Sequence, residues 1–225
     1  MLAGAPGNFQ AESYMKRFML VAALSVAPIA WAQDAGKADP FTGGDAQAGA
    51  GKAAVCGACH GPGGNSSNPE WPKLAGQHAA YTYHELKELK SGVRKAPVMN
   101  AQAQPLSDQD MRDLAAYFAA QKTSPGVASP AAVPVAQKLF RAGDAARQLP
   151  ACSACHGPQG NGNAAAKYPR LGGQHAKYVA NMLRNYRAQT GAANADPEAA
   201  IMASIAGKLT DAEIEALASY VNGLH

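Results

Sequence analysis

Apolar positions recur at helical spacing in segments that come in pairs along the 225-residue chain. From His78 to Ser91, Tyr81, Leu86 and Leu89 fall near the helical repeat before Gly92 ends the run. Lys177 to Ala188 presents Tyr178, Met182 and Tyr186 in the same way. The last helix of each set is predicted to open on a capping box, Ser107 with Asp110 (an acidic variant) and Thr210 with Glu213. Leu114, Tyr117 and Phe118, then Ile214, Leu217 and Val221, supply the apolar faces of these two helices. Upstream, Asp45 can N-cap a helix, and Val135 to Ala146 takes the equivalent place later in the chain. No strand pattern of comparable strength appears, so the fold class is all-α.

The pairing is an internal repeat. Cys56-Gly57-Ala58-Cys59-His60-Gly61-Pro62 returns as Cys152-Ser153-Ala154-Cys155-His156-Gly157-Pro158. Pro72-Lys73-Leu74-Ala75-Gly76-Gln77-His78 returns as Pro169-Arg170-Leu171-Gly172-Gly173-Gln174-His175, and Met99 through Tyr117 is matched by Met202 through Tyr220. The offset grows from 96 to 97 to 103 residues, which places the larger insertion of the second copy between Gly191 and Pro197. Thr123 to Pro134 holds three prolines among Ser, Gly and Ala, a composition that favours an extended, semi-rigid connector. Two equivalent domains follow, 43–122 and 135–225, with a linker at 123–134.

The N-terminus reads as an address. Met15-Lys16-Arg17 is a positive n-region, Phe18 to Ile29 an apolar core, and Ala30-Trp31-Ala32 a cleavage site, so the mature chain is expected to begin at Gln33. The apolar run of about a dozen residues is short of the ~20 that span a bilayer. Residues 1–14 fit no part of a leader, and Met15 is the expected translation start. The formal charge is +4 for the whole chain and becomes +3 without residues 1–32. No run of Lys and Arg marks a nucleic-acid surface. Residues 126–225 are the more basic half, with nine cationic and six acidic side chains against nine of each in 33–125.

All four cysteines belong to the two Cys-x-x-Cys-His motifs. On one helical turn Cys56, Cys59 and His60 share a face, so two thiols can add across the vinyl groups of a haem while the imidazole reaches its iron. The same holds for Cys152, Cys155 and His156. Structural zinc, a thioredoxin-like redox pair and plain disulfides are the competing readings. Zinc is awkward with His next to the second Cys, the redox pair lacks a βαβ context, and export with a doubled motif favours two covalent c-type haems.

The sixth iron position has four candidate methionines in the mature chain. Met99 and Met202 are repeat-matched and lie 39 and 46 residues beyond their histidines in loop-like sequence, whereas Met111 and Met182 are unmatched and read as helix packing. His78 and His175 are rival ligands, also repeat-matched. His84 and His225 have no counterpart and read as surface residues. Pro72 and Pro169, 12 and 13 residues past His60 and His156, can present a backbone carbonyl to the imidazole Nδ1–H. Tyr117 and Tyr220 read as packing where terminal helices cross, and Trp71 has no assigned role.

These strings, taken with Gly157-Pro158-Gln159-Gly160-Asn161-Gly162-Asn163 and Leu209-Thr210-Asp211-Ala212-Glu213-Ile214, resemble the di-haem cytochromes c of the c4 type over residues 43–224. The resemblance implies tandem class I cytochrome c domains with His60/Met99 and His156/Met202 as axial ligands. It further implies a periplasmic electron carrier that serves membrane oxidases and other redox partners, without substrate chemistry of its own. Peripheral association with the membrane is compatible with that role. A di-haem peroxidase and a haem subunit of a larger dehydrogenase, such as a flavocytochrome, are the alternative functions; the peroxidase would need one open iron, which a matched methionine in both halves argues against.

Overall fold

The computed structural model describes residues 41–191 and 196–225. The leader, its cleavage point after Ala32 and part of the Gly191 to Pro197 insertion lie outside them.

The first half contains α1 (Ala46–His60), a 3-10 turn at Pro62–Gly64, α2 (Ala79–Ser91), α3 (Pro97–Ala103) and α4 (Asp108–Ala119). Asp45 caps α1 by accepting from the amides of Gln47 and Ala48. Both arms of the Ser107/Asp110 capping box are formed at α4. Helices α1 and α4 cross closely because Gly49 has no side chain: a Cβ there would stand 2.1 Å from the Asp113 carbonyl oxygen. Tyr117 lies half-buried at this crossing, its Cβ beside the same glycine. Ala53, Leu114 and Phe118 form the buried cluster, with Cys56, Leu74, Leu86 and Leu106 packed on it.

The second half repeats the plan with one break. Helix α5 (Val133–Ala142) stops at Gly143, a 3-10 turn follows at Ala145–Arg147, and only then does α6 (Cys152–His156) carry the cysteines. The expected helix to Ala146 is therefore shorter. Asp144 accepts from the Arg147 amide and pairs with the Arg147 guanidinium, and Asp144 and Leu149 exchange main-chain bonds, which turns the chain out and back before Pro150. Helices α7 (Ala176–Ala188), α8 (Pro197–Ala206) and α9 (Asp211–Asn222) complete the half, with both arms of the Thr210/Glu213 capping box present. Phe140 and Ile214 are fully buried, and Tyr220 packs on Phe140 with ring centroids 5.5 Å apart. Among the described residues there is no strand beyond two isolated bridges, and no helix is long and apolar enough to cross a membrane.

The segment between the halves is clasped. Thr123 donates to the Ala75 carbonyl and the Ser124 amide to Asn65. The Gly126 amide then reaches the Asn222 carbonyl at 3.0 Å, and the Ser129 amide the Ser219 hydroxyl at 2.8 Å. Helix α5 starts at Val133 with Pro134 in its first turn, so the proline-rich composition serves in part as a helix start.

Asp113 ties α1 to α4 electrostatically. Its buried carboxylate accepts from the Asp45 amide at 2.9 Å, Lys52 at 2.6 Å and Gln109 at 2.7 Å. Lys52, foremost, lowers its pKa from 3.8 to about 2. A carboxyl with a depressed folded pKa contributes stability that is complete above its unfolded value and is lost as pH falls through the folded one. Asp113→Asn is expected to lower the urea midpoint at pH 7 and to flatten the loss of stability between pH ~4 and ~2, as measured by denaturation at several pH values.

Candidate functional site

Each Cys-x-x-Cys-His turn ends at a glycine with a positive φ, Gly61 (φ 73°) and Gly157 (φ 76°). A side chain at Gly61 would also meet the Asn65 carbonyl at 2.3 Å. The reversal at these glycines starts the loop that brings a proline carbonyl back to the histidine. His60 Nδ1 lies 2.8 Å from the Pro72 carbonyl oxygen, and His156 Nδ1 lies 3.0 Å from that of Pro169. A carbonyl can only accept, so Nδ1 carries the proton in both rings and Nε2 is the bare nitrogen. Burial pushes both imidazoles below their ordinary pKa, against the upward pull of the carbonyl.

None of the four cysteines is in a disulfide; Cys56 and Cys152 are half-buried, Cys59 and Cys155 exposed. Burial raises the Cys56 thiol above its ordinary pKa and takes Cys152 to about 11. This is the reverse of the depressed thiol that a redox-active pair requires. A buried neutral imidazole with its lone pair at Nε2, next to two thiols on one turn and an apolar cluster that includes the first of them, fits a covalently attached haem in each half.

Met99 and Met202 lie on the short helices α3 and α8 rather than in loops, and both are half-buried. Pro97 and Pro197 sit in the first turns of those helices, where proline favours helix initiation. Met111 is buried in α4. His78 and His175 are engaged elsewhere: their Nε2 atoms meet the Asn161 carbonyl at 2.7 Å and the Ser66 carbonyl at 2.8 Å, each in the opposite half. His84 departs from the expected surface role, with a side chain only 20% exposed and Nε2 3.6 Å from Asp196. His225 is exposed, as is much of Trp71.

The repeated Gly-Gln-His segments also make an interface whose glutamines had no assigned part. Gln77 accepts from the Arg170 amide at 2.8 Å and donates to the Arg170 carbonyl at 3.0 Å. Gln174 does the same to Lys73, at 2.9 Å in both directions. Lys73 and Arg170 are themselves repeat-equivalent, so the halves grip each other about an approximate two-fold axis. The signal in the sequence was a polar residue kept in both copies beside the histidine.

Two small helical domains, each with a Cys-x-x-Cys-His turn and a carbonyl-oriented histidine, define a tandem c-type cytochrome. The chain belongs to the cytochrome c family, whose model matches residues 46–122 and 136–225, and within it to the di-haem cytochromes of the c4 type. Cytochrome c4 of Azotobacter vinelandii is 49% identical over 191 residues, which cover 81% of this chain and 90% of that protein. The crystal structure of reduced recombinant cytochrome c4 from Pseudomonas stutzeri superposes with a TM-score of 0.77 at 48% identity, covering 81% of this chain and all of that one. A thiosulfate dehydrogenase electron acceptor of Stutzerimonas stutzeri is 37% identical over 179 residues, 77% of this chain and 81% of its own length. The protein is thus an electron-transfer cytochrome with two c-type haems, a carrier rather than an enzyme.

Replacing Gln77 or Gln174 by alanine leaves a main-chain N–H and C=O of the opposite half without partners. Each substitution is expected to cost roughly 1–3 kcal/mol in chemical denaturation while leaving covalent haem attachment intact on a denaturing gel.

Proposed function

We propose that the chain is an exported, periplasmic carrier in which His60 with Met99 and His156 with Met202 hold the two irons, and Cys56/Cys59 and Cys152/Cys155 anchor the macrocycles. The supporting observation is the doubled turn in which a buried histidine presents Nε2 while a proline carbonyl holds Nδ1–H. That bond sets the ring's rotation and makes Nε2 a stronger donor, which is the role assigned to Pro72 and Pro169. Met99 and Met202, as thioether ligands, would favour ferrous iron and raise the potential. The pairing of His78 and His175 with carbonyls across the interface commits the atoms they would need to bind iron, so methionine is preferred. Bound haem supplies one-electron Fe(II)/Fe(III) cycling. The chain's own part would be to supply the histidine and methionine atoms that hold each iron and, through Gln77 and Gln174, to keep the two domains in one register.

The electrons are proposed to pass to a membrane terminal oxidase, with the carrier exported by the leader that ends at Ala32. A second reading, service as the acceptor of a periplasmic dehydrogenase, has support from the thiosulfate dehydrogenase electron acceptor among its relatives. Rapid mixing of the ferrous protein with an oxidase, and of the ferric protein with a dehydrogenase and its reduced substrate, separates the two.

Met99→Ala and Met202→Ala are each expected to remove about half of the far-red absorption band of thioether-bound ferric haem. Each should also lower one reduction potential by on the order of 0.1 V, within the ~0.8 V that axial ligands span. An unchanged band in either variant refutes that ligand.

A further inference from the structure

The segments that bear Met99 and Met202 are both held from the opposite half. Arg94 stands between α2 and α3; its amide donates to the Glu88 carbonyl at 3.1 Å, and its own carbonyl accepts from Asn100, the residue after Met99, at 2.8 Å. Asn100 also donates to the Leu89 carbonyl at 2.7 Å and accepts from the Ala96 amide at 2.9 Å, so Arg94 and α3 move as one piece. The Arg94 guanidinium pairs with Glu85 on α2 and continues across the interface to α7, where it lies 3.1 Å from the Tyr178 hydroxyl and 3.6 Å from the Met182 sulfur. In the second half, Asp196 caps α8, the helix of Met202, by accepting from the Glu198 amide at 3.1 Å. Its carboxylate faces His84 Nε2 at 3.6 Å, a buried atom on α2 of the first half with no hydrogen-bond partner.

Helices α2 and α7 are repeat-equivalent. Each therefore braces the methionine segment of the other domain, although the residues differ: a guanidinium to tyrosine bond on one side, an imidazole against a capping carboxylate on the other. We propose that Arg94 and His84 are positioning residues for the distal ligands, Arg94 for Met99 through Tyr178 and His84 for Met202 through Asp196, so that each iron keeps its methionine only while the domains stay docked. This rests on the Met99/Met202 reading above. The thioether to ferric iron bond is the weakest link in each coordination shell, and its lifetime then depends on a contact made by the other domain. Asn181, at the α7 position equivalent to His84, and Gly191, at the position equivalent to Arg94, lack the groups for these contacts, so the braces are specific to their sides.

The test is imidazole uptake by the ferric holoprotein, followed separately at the two haems through their hyperfine-shifted methyl resonances, which Met99→Ala and Met202→Ala assign to domains. Losing the charge-assisted hydrogen bond between Arg94 and Tyr178 predicts about ten-fold faster uptake at the first haem. Arg94→Gln should accelerate the first domain alone. Tyr178→Phe, which removes one hydroxyl from the second domain and spares the fold, should also accelerate the first domain. His84→Leu, in the first domain, should accelerate the second. Uptake within two-fold of the parent in Arg94→Gln and Tyr178→Phe, or acceleration of the second domain alone in Tyr178→Phe and of the first alone in His84→Leu, overturns the proposal. If Met99→Ala and Met202→Ala keep their thioether bands, the ligation reading fails first and the bracing with it; if they lose the bands and the three variants exchange normally, only the bracing fails.

Discussion

The hydrogen bond from a buried histidine Nδ1 to a proline carbonyl is the constraint on which the rest of each domain depends. It needs a helix that ends on the histidine, a glycine that can take a positive φ directly after it, and a loop of fixed length that returns with its carbonyl aimed at the ring. Gly61 and Gly157 satisfy the second need by their conformation, and at Gly61 the approach of Asn65 leaves no room for any side chain. Once the ring is set, the thiol one turn back and the thiol of the preceding residue share one helical turn with it, and the remaining helices close around that turn.

The loop that delivers the carbonyl does a second task. Pro72 is followed by Lys73, and Pro169 by Arg170, the two residues whose main chains are gripped by Gln174 and Gln77 of the opposite half. The segment that orients each buried histidine is therefore also the segment through which the domains recognise each other. Domain docking and histidine orientation share a backbone, which is a physical reason for two small domains to behave as one carrier. The connector adds to this by running along both halves, bonded to Asn65 and Ala75 on one side and to Asn222 and Ser219 on the other.

Much of this was legible in the sequence because local rules decided it. The Cys-x-x-Cys-His turns, the caps at Asp45, Ser107 and Thr210, and the stop at Gly92 each depend on a few neighbouring residues, and the structure has them where the pattern placed them. The early end of α5 was missed although Gly143 carries a stop signal of the same kind as Gly92, and the Asp144, Arg147 and Leu149 contacts then turn the chain away. Helices α3 and α8 were missed because the sequence around Met99 and Met202 reads as loop, although Pro97 and Pro197 occupy first turns. The interface was out of reach for a different reason: Gln77, Arg94 and His84 act on residues some 80 to 110 positions away, and only the doubling of Gly-Gln-His hinted at it.

The central claim is that each half of this chain carries its own haem, covalently, on its own Cys-x-x-Cys-His turn. Mass spectrometry of the intact, denatured protein from cells that mature c-type cytochromes tests it most directly. The account predicts a mature chain heavier by two haems, with Cys56→Ala/Cys59→Ala and Cys152→Ala/Cys155→Ala each lighter by one. A parent chain that carries one haem or none, or a pair of substitutions that leaves the added mass unchanged, would contradict it.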